Sequence, residues 1–244
     1  MTKARFILYP FLMIGLLLSS CSETKEDVGV FHNWQERSIQ FVDSLAMAYD
    51  EQEQNLEVDH GLKAILGTSE NNSGRAIEVY YKKYGNFYTD ENSIWAKEDF
   101  PEGIEARLDK KPYETSKVRV FYRGMLFTKE ELLHKLPKPY FITSGYKNFV
   151  NFDANFATKP NEDHPDPLIS IDLDLTTKEP NNSQIMIPGS TVPGFSAMLQ
   201  EMSPGDRVEV YIPYKYAYGK NSSGPIPGYS TLIFDLTLVD IIEQ

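Results

Sequence analysis

Cysteine is nearly absent from this sequence, because the chain of 244 residues contains only one, Cys21. A single thiol cannot form a disulfide within the chain, so packing must stabilise the fold even in an oxidising compartment. Basic residues are also scarce: 24 Lys and Arg stand against 35 Asp and Glu, and the formal net charge is −11. Binding to a phosphate backbone needs a basic surface, so we expect no nucleic-acid partner.

Motifs for metal binding and nucleophilic catalysis are missing as well. The four histidines stand singly, at His32, His60, His134 and His164. Zinc therefore has no H-x-x-x-H pair or Cys/His cluster to bind, and no G-x-S-x-G motif or phosphate-binding loop is present. Asp172 and Asp174 alternate on a predicted strand, but the glycine turn and terminal glutamate of a calcium loop are lacking. We expect no metal and no cofactor.

The apolar run near the N-terminus is too short to span a membrane. It extends from Phe6 to Leu18 behind a positively charged start, whereas a transmembrane helix needs ~20 residues. This pattern predicts a signal peptide over residues 1–20. The Leu-Ser-Ser-Cys sequence ending at Cys21 resembles the lipobox of bacterial lipoproteins and predicts lipidation of Cys21. The alternative is an ordinary signal peptide that happens to contain a cysteine.

Residues 21–32 are polar and acidic, which is typical of a tether between a lipid anchor and a folded domain. Within them, Lys25-Glu26-Asp27 resembles the signal that sends some lipoproteins to the outer face of the outer membrane. The alternative is a solvated linker, since charge runs near termini are common. We expect a lipid-anchored protein of the bacterial cell envelope, at the outer membrane, on its periplasmic or its surface side.

A helix is predicted at the start of the folded part of the chain. Asn33 and Glu36 form a capping-box pattern. An apolar stripe at helical spacing follows, made of Trp34, Phe41, Val42, Leu45, Ala46 and Tyr49. The pattern predicts a helix over 34–49, followed by a helix remnant and linker up to residue 74.

Alternating apolar residues predict strands further along the chain. The first includes Ile77, Val79 and Tyr81, and the clearest covers 117–127 with Val118, Val120 and Tyr122 on one face. Residues 169–176 predict an extra strand. Near the C-terminus, the segments 207–212 and 232–239 alternate in the same way.

The stretch from Val192 to Ile241 contains several elements in a fixed order. At Gly194-Phe195 we expect glycine to take a positive φ and turn the chain sharply. A short amphipathic helix follows, with its stripe at Phe195, Met198, Leu199 and Met202. Ser203-Pro204-Gly205-Asp206 then turns the chain into a strand. A loop that carries Tyr216-Ala217-Tyr218-Gly219 and Pro225-Ile226-Pro227 leads to the last strand.

This order resembles the C-terminal half of FKBP-type peptidyl-prolyl cis-trans isomerases, and residues 117–127 resemble the family's V-x-V-x-Y-x-G-x-L strand. The resemblance implies an α+β fold in which an antiparallel sheet curls around the short helix. The N-terminal helical extension would cover 33–74 and the isomerase domain 75–244, with insertions at 127–151 and 154–191. Some family members dimerise through N-terminal helices; the alternative expected here is a helix docked on its own domain.

The resemblance also implies a site. Phe195 would form the floor of an apolar pocket, in the place of a more usual tryptophan. Tyr218 would donate its hydroxyl to a substrate carbonyl, and Asp153 would lie at the rim. The walls would come from Tyr122, Phe152, Val192, Ile226 and Phe234. For the family's aromatic residue before the V-x-G step, Ile185 and Ile187 are the nearest candidates.

The implied function is rotation about X-Pro peptide bonds in exported proteins. Such a reaction moves no proton and breaks no single bond, which agrees with the absence of a recognisable nucleophile or general base. Two alternatives remain: a lipid-anchored binding or chaperone module without significant turnover, and a structural subunit of an envelope assembly. The partners we expect are proline-containing polypeptides, and the membrane through the lipid on Cys21.

Overall fold

The computed structural model describes residues 31, 33–66, 77–90, 102–127, 149–154, 173–174, 179–180 and 184–244. Within these ranges the chain forms two α-helices and nine strands, so the predicted α+β class is confirmed. The helices are α1 (Trp34–Gln54) and α2 (Pro193–Glu201). The strands are β1 (Leu62–Leu66), β2 (Ile77–Asn86), β3 (Lys117–Phe127), β4 (Phe149–Ala154), β5 (Leu173–Asp174), β6 (Glu179–Pro180), β7 (Gln184–Met186), β8 (Asp206–Ile212) and β9 (Leu232–Glu243).

Seven of these strands form one antiparallel sheet. Its order is β1-β2-β8-β9-β3-β4, and β7 pairs with the first part of β3. The C-terminal strands β8 and β9 therefore occupy the middle of the sheet, although they are last in sequence. The strands predicted at 117–127, 207–212 and 232–239 are confirmed, and β9 continues as far as Glu243.

Helix α1 docks on this sheet, as one of the two alternatives predicted. Phe41, Leu45 and Ala48 are buried from successive turns of the helix. They pack in one cluster with Tyr80, Met125, Tyr211 and Ile233 from four strands, and with Leu62. The helix runs to Gln54 rather than Tyr49. The predicted capping box is wrong, because Asn33 has a φ of 48° and its side chain makes no capping hydrogen bond.

Part of the predicted linker is a strand. Residues Leu62–Leu66 form β1 and pair antiparallel with β2, from Leu62 opposite Lys82 to Leu66 opposite Ile77. The linker prediction is therefore wrong for these residues. The strand is too short to show a clear alternation, and its Leu62 joins the cluster on which α1 docks.

The two faces of the sheet carry different clusters. On the face toward α2, buried side chains from β2, β3, β8 and β9 pack with α2 around Phe195 and Leu199. We call this the α2 face, and the opposite side the α1 face. Val118, Val120 and Tyr122 all belong to the cluster on the α2 face, as their alternation predicts.

Charged residues are buried on the α1 face. Arg207 of β8 donates two hydrogen bonds to the carboxylate of Asp235 on β9, both at 3.0 Å. Glu209 is also fully buried, lies directly opposite Asp235 in the register and accepts a hydrogen bond from Tyr84 at 3.0 Å. Both faces of β8 and β9 are thus covered.

Several predictions fall on residues outside the described ranges. These are the signal peptide, the lipidation site Cys21 and most of the tether over 21–32. Of the predicted strand at 169–176, the described part is β5, which pairs with β6. The predicted insertion over 154–191 also contains β7, a strand of the main sheet. In the described ranges, no helix has the length and apolar character needed to cross a membrane.

Candidate functional site

Three aromatic rings meet on the α2 face of the sheet. Phe195 comes from α2, Tyr122 from β3 and Phe234 from β9. The ring centroids of Phe195 and Phe234 are 4.8 Å apart, and Tyr122 lies 6.3 Å from each of them, with all three pairs edge to face. Edge-to-face pairs at such distances are favourable, because the positive edge of one ring meets the negative face of the next. The structure therefore brings together three residues that are far apart in sequence.

Phe195 is positioned by an unusually close contact between α2 and the sheet. Val192 precedes the helix in an extended conformation, and Pro193 begins it, where its missing N–H is tolerated. Gly194 is helical and does not have the positive φ that the sequence predicts. Glycine is required for another reason: a Cβ atom here would overlap Ile212 Cγ2 and lie 2.9 Å from Val79 Cγ1. The absence of a side chain lets the first turn of α2 approach the sheet.

The register of the sheet places two of the predicted residues opposite the same glycine of β3. In the pairing of β3 with β9, Gly124 lies opposite Phe234. On its other side, Gly124 lies opposite Asp153 of β4. Asp153 and its neighbour Phe152 are therefore two strands away from Phe234 and next to the strand of Tyr122. The rim and wall roles of Asp153 and Phe152 stay predictions.

The loop between β8 and β9, residues 213–231, supplies an apolar side chain to the same cluster. Ile226 is only 4% exposed and belongs to it. The backbone of the loop bonds to itself: Ser223 and Ile226 exchange two hydrogen bonds, and the Tyr229 N–H donates to the Gly219 carbonyl at 2.8 Å. Val192 is partly buried against this cluster. A loop tied in this way can hold Ile226 in a fixed place.

Tyr218 differs from the other predicted pocket residues because 42% of its surface is exposed. It lies in the same loop, between the partly buried Ala217 and Gly219, whose φ is +69°. An exposed phenol in the loop that supplies Ile226 to the cluster can offer its hydroxyl to a bound molecule. The structure thus places Tyr218 at a surface position in the loop that carries Ile226.

The structure corrects the prediction for the wall that precedes Val192. Ile185 and Ile187, the nearest candidates in sequence, are 53% and 37% exposed. The residue between them, Met186, packs instead against the cluster of Phe195 and Phe234. Alternation along β7 turns Met186 toward the α2 face, because Met186 pairs with Val118, which lies on that face. The register of β7 on β3 could not be read from the sequence.

A second residue that the sequence did not assign to this region is Trp34. It is 8% exposed and belongs to the same cluster as Phe195, Ile226 and Phe234, although it begins α1.

Tyr81 of β2 also packs against this cluster, and burial raises the pKa of its phenol, with smaller contributions from Glu201 and Asp206. Tyr81 therefore stays neutral at physiological pH. The cluster presents apolar and neutral aromatic groups, which suits an uncharged, weakly hydrated substrate group.

Comparison with known proteins assigns part of the chain to a family pattern. Residues 173–239 match the family model described as FKBP-type peptidyl-prolyl cis-trans isomerase. This range includes five of the predicted site residues, Val192, Phe195, Tyr218, Ile226 and Phe234. Tyr122, Phe152 and Asp153 lie before it.

Individual relatives align over similarly short segments. The chain is 44% identical over 55 residues to a macrophage infectivity potentiator of Trypanosoma cruzi, covering 22% of this chain and 28% of that protein. It is 38% identical over 66 residues to the peptidyl-prolyl cis-trans isomerase Mip of Chlamydia pneumoniae, covering 27% and 25%. For the FKBP-type isomerase FkpA of Buchnera aphidicola, the identity is 42% over 52 residues, or 21% of each chain. The alignments thus span less than a third of each of these relatives.

Among solved structures, the chain is similar to a peptidyl-prolyl cis-trans isomerase from Pseudomonas syringae, with a TM-score of 0.44 and 17% identity. That match covers 86% of this chain and 96% of the other. The structure of FkpA from Escherichia coli gives a TM-score of 0.40 and 18% identity, covering 86% and 64%.

Proposed function

We propose that this chain is an FKBP-type peptidyl-prolyl cis-trans isomerase that rotates X-Pro bonds in exported proteins. The observation that carries the proposal is the edge-to-face group of Tyr122, Phe195 and Phe234 on the α2 face. The family match over residues 173–239 supports it, because two of these rings and the β8–β9 loop lie within that range. The substrates would be proline-containing polypeptides, and no cofactor or metal would be needed.

The chemistry of the reaction explains why an apolar aromatic site is suitable. Rotation about a peptide bond breaks amide resonance against a barrier of ~18 to 20 kcal/mol but transfers no proton. The planar amide is strongly dipolar, whereas the twisted amide has lost much of its charge separation. A site without water therefore favours the twisted form over the planar one. Each ~1.4 kcal/mol of this preference accelerates the reaction tenfold.

Proline is the natural substrate residue for such a site. The cis and trans forms of an X-Pro bond differ by only ~0.5 to 1 kcal/mol, yet they interconvert over tens of seconds or longer. In our proposal the proline ring lies over Phe195, between Tyr122, Phe234 and Ile226. Val192 and Phe152 complete the walls, and Asp153 lies at the rim. Tyr218 donates its hydroxyl to a carbonyl of the substrate.

The experiment that tests the proposal is a measurement of cis-trans exchange in a Leu-Pro or Phe-Pro peptide. We expect the purified full chain to accelerate exchange at micromolar concentration, with the acceleration proportional to protein. Circular dichroism on the same sample establishes that the protein is folded. A folded sample that leaves the exchange rate at its uncatalysed value contradicts the catalytic proposal.

The second candidate function is a binding or chaperone module without significant turnover. Two observations favour it: phenylalanine rather than tryptophan is in the floor position, and Met186 rather than an aromatic residue packs before Val192. Both changes reduce the rigid aromatic surface around the substrate. In this case the folded protein would bind a proline peptide, as chemical-shift changes would show, but would not accelerate its exchange.

We also propose a location for the protein. The lipobox-like sequence at Cys21 supports anchoring to a membrane of the bacterial envelope, and the tether supports placement at the outer membrane. Relatives with similar segments include proteins named Mip and FkpA. Clients would then be exported polypeptides that fold near the anchored domain.

A further inference from the structure

We infer that helix α1 positions the β8–β9 loop, and that Trp34 is the positioning residue that fixes Ile226. The inference rests on the proposed function for its meaning in catalysis, because Ile226 is a wall of the proposed pocket. The helix does not form that wall itself; it acts on Ile226 through the loop. It acts through hydrogen bonds from Trp34 to Ser230 and between Ser38 and Thr231, at the C-terminal end of the loop.

The first contact is a relay of two hydrogen bonds. The Trp34 indole Nε1–H donates to Ser230 Oγ at 2.8 Å, and the Ser230 hydroxyl donates in turn to the Pro227 carbonyl at 2.6 Å. The direction of the relay is fixed at both ends, because an indole N–H can only donate and a proline carbonyl can only accept, while the Ser230 hydroxyl does both. Pro227 follows Ile226 directly. The relay therefore connects the start of α1 to the backbone next to the proposed wall residue.

The second contact lies one helical turn further along α1. Ser38 Oγ accepts the backbone N–H of Thr231 at 2.8 Å and forms a hydrogen bond with Thr231 Oγ1, also at 2.8 Å. Ser38, Ser230 and Thr231 are 6%, 3% and 4% exposed. Water can therefore replace these bonds only poorly, and a buried polar group that loses its partner is strongly unfavourable.

The helix itself is firmly held, which a positioning element requires. Phe41 and Leu45 are 2% and 0% exposed in the cluster on the α1 face. The Trp34 ring makes an edge-to-face contact with Phe31 at 5.3 Å, and the Arg37 guanidinium lies 5.5 Å from its centroid. The indole N–H is thus presented from a fixed ring on a fixed helix.

One residue at this end of the loop has an unfavourable conformation, which contacts inside the loop and hydrogen bonds from α1 to its neighbours hold in place. Tyr229 has a φ of +63°, an unfavourable conformation for a residue other than glycine. Only neighbouring contacts keep such a residue in place. Ser230 and Thr231, which follow Tyr229 directly, are hydrogen-bonded to α1, and Ser230 donates in turn to the carbonyl of Pro227, two residues before Tyr229.

The kinetic test uses Trp34→Phe, which keeps an aromatic ring but removes the indole N–H. Loss of one hydrogen bond corresponds to an about two- to tenfold change in an equilibrium. Because Ile226 would contact substrate in the ground state and the transition state alike, we expect KM to rise by about that factor while kcat changes little. Ser230→Ala is expected to raise KM by the same factor. Ser230→Thr keeps the hydroxyl, so its KM should equal that of the wild type.

The double variant Trp34→Phe/Ser230→Ala tests the relay itself. If the two side chains act in series, the double variant is no worse than the poorer single one, whereas independent effects add. Ala48→Gly is the matched control, because it destabilises the buried side of α1 by up to about 1 kcal/mol without touching the loop. Its KM should equal that of the wild type.

Amide hydrogen exchange provides a readout that does not depend on activity. The N–H groups of Ser223, Ile226 and Tyr229 are bonded within the loop. In Trp34→Phe we expect them to exchange about two- to tenfold faster, since exchange follows the free energy of local opening. In Ala48→Gly they should exchange as in the wild type once the change in global stability is subtracted.

The two measurements separate the inference from the function on which it rests. An inactive wild type would overturn the proposed isomerase, and the exchange data alone would then decide whether α1 positions the loop. The inference is overturned if the amide hydrogen exchange rates of the loop in Trp34→Phe match those in Ala48→Gly. If loop exchange rises but KM stays constant in an active enzyme, the role of the loop position in catalysis is overturned.

Discussion

Tyr218 and Phe234 would contribute differently to the proposed pocket, because one offers a hydroxyl and the other a buried ring. Tyr218 is 42% exposed, whereas Phe234 is 7% exposed and contacts both Tyr122 and Phe195. Removing the hydroxyl changes one hydrogen bond to substrate. Removing the ring changes the shape of the site and the packing of the core.

We therefore predict that Tyr218→Phe slows isomerisation by only several-fold, since a neutral hydrogen bond contributes ~0.5 to 1.5 kcal/mol. Phe234→Ala should reduce activity more, because water enters the site, and should destabilise the fold by ~3 to 5 kcal/mol. Peptide exchange rates and urea unfolding must be measured on both variants. A Phe234→Ala protein that keeps its activity while losing stability would show that this ring is core only.

The tyrosines of β2 and of the turn after it provide a prediction about alkaline pH. Burial raises the pKa of Tyr80 to about 12, with further contributions from the charges of Asp50, Tyr49 and Asp43. Burial raises the pKa of Tyr84 and Tyr88 as well, with Glu209 and Asp240 as the next causes. In the unfolded chain a tyrosine ionises near pH 10.

Stability should therefore fall as the pH rises above 10. In that range the unfolded state has lost the Tyr80 proton and the folded state still holds it, so the free energy of unfolding decreases until folded Tyr80 ionises near pH 12. The contribution of one such group is at most about 1.4 kcal/mol per pH unit, and less where solvent screens the hydroxyl. Tyr80→Phe should make the decrease between pH 10 and 12 less steep in urea unfolding.

At the scale of single elements, α2 shows how packing can oppose helix propensity. Alanine is favoured over glycine in a helix by about 1 kcal/mol. At Gly194, however, a methyl group would overlap Ile212 and approach Val79, both of which are buried in the sheet or at its edge. Overpacking of this kind costs about 1 to 3 kcal/mol.

We predict that Gly194→Ala is destabilising by up to about 2 kcal/mol, despite the gain in helix propensity. It should also reduce isomerase activity, because relief of the overlap moves Phe195 away from the sheet. Ala197→Gly, on a partly exposed position of the same helix, should show the propensity effect alone. Thermal unfolding and peptide exchange measure both quantities. Equal or higher stability of Gly194→Ala would contradict the close packing of α2 on the sheet.

For the whole molecule, the proposed anchor connects the fold to a location. The described chain begins with Phe31 and with Asn33 before α1, a short distance in sequence after the proposed lipidation site. We predict that Cys21→Ser leaves the protein unlipidated and no longer retained at the membrane, because acyl chains are what hold such a protein there. Metabolic labelling with a fatty acid followed by fractionation is the measurement. A variant that still incorporates label and sediments with membranes would contradict the proposal.

Much of the fold could be predicted from local patterns. Alternation identified the strands 117–127, 207–212 and 232–239, and helical spacing identified α1 and α2. These predictions succeeded because burial of one face repeats with the period of the element. The C-terminal end of α1, the strand β1 and the cap at Asn33 were not predicted correctly, because helical spacing and alternation do not mark them.

The sequence by itself determined the helices α1 and α2, the strands β2, β3, β8 and β9, the turn at Gly205, where φ is +90°, and the residues proposed to form the pocket. The tertiary structure decided that both faces are buried: Asp235 and Glu209, on the other face of their strands from Phe234 and Val210, are also enclosed. It also decided that Met186 replaces its exposed neighbours in the cluster and that Trp34 contacts Ser230. Alternation shows that a strand has two faces, but what covers each face depends on the docking of elements far away in the chain.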